Sequence, residues 1–116
     1  MRAALLLLAA AFALALGSDA GAQGTTTLNG TVGFTIRLVE SSGNSVRHLD
    51  PGSYTIKVVD KSPEHNFHLT GPGGVNVSTE VSEEGEKTFD VTLVPGEYKF
   101  QCDPHASQMN GSFTVG

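Results

Sequence analysis

A thiol, an imidazole and a thioether fall within eight consecutive residues near the C-terminus, as Cys102, His105 and Met109. The chain holds one cysteine and four histidines, so a second imidazole comes from His48, His65 or His68. Thiolate and thioether sulfurs are soft donors that suit Cu(I), and imidazole suits both copper oxidation states. Two His and one Cys in a plane, with a weak axial Met, form the donor set of a blue electron-transfer site. Such a plane with one long axial contact lies between the shapes that Cu(I) and Cu(II) prefer. When the fold fixes it, little rearranges as an electron arrives or leaves. Zinc matches less well, because a structural zinc site takes four strong donors and a thioether is a poor fourth.

The elements that must position these residues are readable from hydrophobic period. Tyr98, Phe100 and Cys102 fall on one face of a strand, Lys99 and Gln101 on the other. Pro104 has no N–H for a ladder and ends that strand. A short loop then carries His105 and Met109, and residues 111–115 run extended again. In mid-chain, residues 64–69 read as a strand with Phe67 and Leu69 on its apolar face. By the period of two, His65 shares that face and His68 points the opposite way. Cys102 also sits on an apolar face, so His65 is expected to meet it, with His68 as the alternative. His48 is assigned no role.

Taken singly, each residue has an ordinary explanation: a lone Cys is a small buried hydrophobe and a lone Met fills gaps. Their conjunction is what points to a metal. With His65-Asn66 in mid-chain and the terminal pattern C-x2-H-x3-M running into Gly111-Ser112-Phe113-Thr114-Val115, the sequence resembles the plastocyanin-like cupredoxins, the small blue copper proteins. The resemblance covers residues 25–116. It implies an all-β, Greek-key β-sandwich with one type 1 copper ion. It also implies that the first ligand, His65, comes from a strand, and that Cys102, His105 and Met109 come from one loop. The residue after the first His ties the two ligand segments together in that family, which implies a bond from Asn66 to the neighbourhood of Asp103. Three residues between His and Met is shorter than the usual plastocyanin loop. Gln108, whose amide oxygen can also serve as an axial ligand, is therefore the alternative to Met109.

The compartment follows from the other end of the chain. After Met1-Arg2, residues 3–16 are unbroken apolar sequence, too short to span a bilayer, which needs about 20 residues. It has the length of a signal-peptide core with a positive flank. Ala20-Gly21-Ala22 supplies a small-x-small pattern, so cleavage is expected after Ala22, leaving residues 23–116 as one domain. The protein is thus expected in the periplasm or outside the cell, with no membrane span in the mature chain, as a monomer. A lone thiol is a liability in an oxidising compartment, and metal ligation protects it. The net charge of −5 argues against nucleic acid and anionic membranes. It is compatible with a redox partner that presents a basic docking surface.

Elsewhere, residues 23–27 are polar and expected to fray. Residues 31–40 alternate as one strand with Phe34, Ile36 and Leu38 inward. A brief strand is expected within residues 46–49, and another over 54–59 with Tyr54, Ile56 and Val58 inward. Residues 75–81 read as an irregular connection, and residues 83–86 as an exposed acidic turn. Phe89, Val91 and Leu93 share a face in the strand after it. Short alternating strands with Gly and Pro at the breaks read as a β-sandwich.

Three other classes of function, a copper-handling module, an enzyme and an adhesion module, are weighed against one-electron transfer. Copper storage or delivery would use the same residues and differs only in redox behaviour. A Cys-His hydrolase needs a base placed to activate the thiol, a layout that C-x2-H with an intervening Pro does not provide. Multicopper enzymes need further His clusters and another domain. A metal-free immunoglobulin-like adhesion module gives no reason for His, Cys and Met to converge. The expectation is an electron carrier and not an enzyme.

Overall fold

The computed structural model describes residues 25–116. The leader expected over residues 1–22 and the start at Gln23 lie outside the described residues. Nine strands form two sheets: β1 (Thr26–Val32), β2 (Ile36–Glu40), β3 (His48–Leu49), β4 (Gly52–Asp60), β5 (His68–Gly71), β6 (Val75–Ser78), β7 (Gly85–Leu93), β8 (Gly96–Gln101) and β9 (Asn110–Val115). One sheet has the order β2-β1-β4-β7 and the other β3-β9-β8-β5-β6. Neighbours are antiparallel except for β1 with β4 and β3 with β9. The result is a single β-sandwich, as expected.

The core lies between the sheets because the strands alternate. Leu28, Val32, Ile56, Val58 and Leu93 enter it from one side. Leu69, Tyr98, Phe100, Phe113 and Val115 enter it from the other. Phe67 stacks on Phe100 at 5.6 Å between ring centroids, and Tyr98 on Phe113 at 5.3 Å. Gly30 in β1 leaves the space that Phe67 fills, since a Cβ there would stand 3.2 Å from the Phe67 ring. Two tyrosine hydroxyls bond to backbone four residues upstream, Tyr54 donating to Asp50 O and Tyr98 accepting from Val94 N. Such corners fix the approach to a strand in Greek-key sandwiches.

The expected strands at 54–59 and 98–101 are present with the expected inward residues. The long strand over 31–40 is instead two strands. Gly33 N bonds Thr35 O and turns the chain, leaving Phe34 at the tip of the β1–β2 hairpin, 98% exposed. Thr26 and Thr27, expected to fray, pair in parallel with Tyr54 and Thr55 of β4. Part of the segment read as irregular forms β6 along β5, and Gly85 and Glu86 of the expected acidic turn already open β7.

Candidate metal centre

Strand β8 delivers Cys102 just past its last residue, still on the inward face set by Tyr98 and Phe100 and with no exposed surface. A single 3-10 turn, Asp103–His105, with Pro104 at its start, carries the chain away from the ladder. The loop is pinned by its own backbone: Cys102 N bonds Met109 O at 3.0 Å, and His105 O accepts from Gln108 N and Met109 N. Met109 is drawn into the core with 6% exposure, while Gln108 is exposed.

His65 approaches from the other segment. It does not lie in a strand, as its pattern leads one to expect, because the ladder of β5 begins only at His68. Ahead of that point Thr79 takes the place of a strand partner. Its hydroxyl accepts from Phe67 N, and its own N–H donates to Phe67 O. The alternation nevertheless persists through Phe67, so His65 faces inward and His68 outward. Both His65 and His105 are half-buried. His65 also lines an open depression with Phe34, Lys61 and Ser62.

His65 Nδ1 lies 3.5 Å from Cys102 Sγ, His105 Nδ1 lies 3.6 Å from it, and the two nitrogens are 3.0 Å apart. A triangle with these sides has its centre about 2.0 Å from every corner, which is the length of a bond from imidazole nitrogen to a first-row metal ion and slightly short for sulfur. Among the described residues, these three side chains form a group of possible metal donors, their ligand atoms all within 4.8 Å of one another. Soft sulfur and two imidazoles in a three-cornered set suit copper.

Asn66 ties the two segments together. Its Oδ1 accepts from Asp103 N at 2.7 Å, and its Nδ2 donates to Asp103 Oδ2 at 3.0 Å and to Thr79 O at 3.3 Å. Asp103 also accepts from Gln101 Nε2 and bonds the ring of His68. Burial alone would raise the Asp103 pKa. The hydrogen bonds from Gln101, His68 and Asn66, with the charge of His68, outweigh it and hold the carboxyl below its ordinary value. Burial alone would lower the pKa of His68, and its bonds to Asp103 and Asn76 raise it above the ordinary value.

Residues 26–116 match the family described as copper binding proteins, plastocyanin/azurin family. The chain belongs to that family. As a plastocyanin/azurin-family protein it takes one type 1 copper ion, and its donor cluster fits that cofactor. The fold is similar to that of reduced rusticyanin, with a TM-score of 0.59 and 19% identity over 79% of each chain. It is also similar to rusticyanin from Thiobacillus ferrooxidans, with a TM-score of 0.56 and 20% identity over 79% of this chain and 77% of that one. No curated protein matches the chain by sequence.

The structure thus brings His65, Cys102 and His105 together, buries Met109 in the same loop, and bonds Asn66 to Asp103. It leaves His48 and His68 outside the cluster. His48 links β3 to the end of β9 through Thr114 Oγ1 and Gly116 O. The sequence reading did not find Thr79 or the bond from His68 to Asp103. Strand parity contained the second, since it turns His68 to the face where the residue after Cys102 emerges.

Proposed function

We propose that this protein is an exported one-electron carrier in which His65, Cys102, His105 and Met109 would hold the copper ion. Asn66 and Asp103 fasten the two ligand segments to each other. The observation that carries the assignment is the triangle of Nδ1, Sγ and Nδ1 atoms, sized for one metal ion.

When bound, copper supplies a one-electron couple between Cu(II) and Cu(I). The chain's own contribution is to hold the donors still. His65 is flanked by Asn66, bonded at both ends of its amide, and Cys102 by a backbone bond to Met109. Bonds of this kind, made by the neighbours of the ligands, orient them and tune the metal. Cys102 has no exposed surface, so a substrate cannot reach the sulfur, whereas an electron can cross the half-buried imidazoles. That favours a carrier over an enzyme. Met109, inward and buried, would supply the fourth donor in preference to the exposed Gln108. The net charge of −5 serves solubility and is equally compatible with a redox partner that presents a basic docking surface. The apolar run of residues 3–16 supports export to the periplasm or beyond.

Voltammetry and a visible spectrum of the copper-loaded protein test this reading. A carrier shows an intense sulfur-to-copper band and reversible one-electron cycling with copper retained. Loss of the metal on reduction would instead mark a protein that stores or delivers copper.

A further inference from the structure

His68 is not in the donor triangle, yet both of its ring nitrogens have partners. It opens β5, opposite Gln101 of β8 and Ser78 of β6. Its Nδ1 lies 2.9 and 3.1 Å from the two carboxylate oxygens of Asp103, and its Nε2 lies 2.7 Å from Asn76 Oδ1. With the Asp103 carboxylate at one ring nitrogen and Asn76 Oδ1 at the other, the two contacts favour a ring that donates from both nitrogens, which is the positively charged form. The carboxylate it meets belongs to the residue directly after Cys102. That same carboxylate accepts from Asn66 Nδ2, and Asn66 directly follows His65. The chain of contacts therefore runs Asn76, His68, Asp103, Asn66, and touches the neighbours of two ligands.

We propose that His68 is a positioning residue of the metal centre: anchored by Asn76, it clamps the Asp103 carboxylate and offsets its negative charge beside the thiolate, thereby setting the reduction potential. This rests on the ligand assignment above. A carboxylate left uncompensated next to Cys102 favours Cu(II), the more positive ion, and lowers the potential. An imidazolium bonded to that carboxylate opposes the effect. The side chains of His68 and Asp103 are 25% and 43% exposed, so solvent and salt screen the interaction and the shift is modest. A purely structural ion pair would affect stability and leave the potential alone.

The test measures reduction potential and the visible band for copper-loaded wild type, His68→Leu, Asp103→Asn and the double variant, with His68→Gln as a better-tolerated replacement that keeps a donor without the charge. The expected result is a lower potential for His68→Leu and His68→Gln with the blue band retained. In the Asp103→Asn background, where there is no charge to offset, the same substitutions shift the potential little or not at all. An equal shift in both backgrounds, or no shift in either, overturns the proposal while leaving the ligand assignment intact. Loss of the blue band in both His68 variants would make His68 itself a ligand and overturn the two together.

Discussion

The Nδ1 atoms of His65 and His105 stand 3.0 Å apart although 40 residues separate them in the chain. Each also faces Cys102 Sγ, so three groups aim lone pairs or protons at one point. One cation at that point would take a lone pair from each of the three. The first prediction follows from this convergence. Cys102→Ser removes the intense visible band of the copper-loaded protein, and His65→Ala removes or transforms it. His68→Ala keeps it, because the alternation through Phe67 turns His68 outward. A spectrum in which the two histidine variants exchange behaviour would show the register to be displaced by an odd number of residues.

A second prediction separates Met109 from its neighbour. Met109→Leu leaves the blue band, which comes from Cys102, but raises the potential, because losing an axial donor disfavours Cu(II). Gln108→Leu, at an exposed position, changes neither. Voltammetry reads both variants, and a shift confined to Gln108→Leu would reverse the axial assignment.

Packing at the strand that delivers Cys102 is tested by adding a single methyl group. A Cβ at Gly71 would collide with the Tyr98 ring, and one at Gly111 with the Phe100 ring. Either Gly→Ala substitution therefore forces rings of the β8 core aside, at a cost of about 1–3 kcal/mol. Urea denaturation of the metal-free protein measures it. Gly33→Ala is the control, since nothing stands within 4 Å of a Cβ there.

The His68–Asp103 pair makes part of the stability depend on pH, with opposite signs at its two ends. His68 has a folded pKa above its ordinary 6.5, so its contribution is complete below 6.5 and fades as pH rises through the folded value. Asp103 has a folded pKa below its ordinary 3.8, so its contribution is complete above 3.8 and fades as pH falls through the folded value. The destabilisation caused by His68→Gln is therefore greatest between 3.8 and 6.5 and shrinks on either side. Thermal melts of the two metal-free proteins across that range check it. A difference that grows above 6.5 would contradict the assigned direction.

What could be read in advance was whatever a regular period controls. Tyr98, Phe100 and Cys102 share a face because a strand alternates, and the donor types near them narrow the chemistry to copper. Phe34 misled because alternation is blind to turns: it continues the inward series of Ile36 and Leu38 but occupies a hairpin tip. Strand β6 is only four residues long, too short for its pattern to stand out from a loop. His65 was given the right face and the wrong setting. Its segment mimics a strand through Thr79, whose hydroxyl stands in for a ladder carbonyl, and a side chain acting as backbone leaves no periodic trace.

The spacing of the donors has a consequence for how metal and folding are coupled. Cys102, His105 and Met109 lie so close in sequence that an unfolded chain keeps all three within reach of one ion, while His65 is 37 residues upstream of Cys102. A ligand stabilises the native state only by the margin with which it prefers that state, and metals held by unfolded Cys and His reduce the margin. If the proposed ligands hold, the rise in melting temperature on adding copper reports the increment due to His65 and the enforced geometry, not the whole affinity. On the proposed ligand set, His65→Ala is expected to leave the loop donors able to hold the metal while removing most of its leverage over the fold. The distant histidine is what makes a metal-binding peptide segment into a domain that melts differently when loaded.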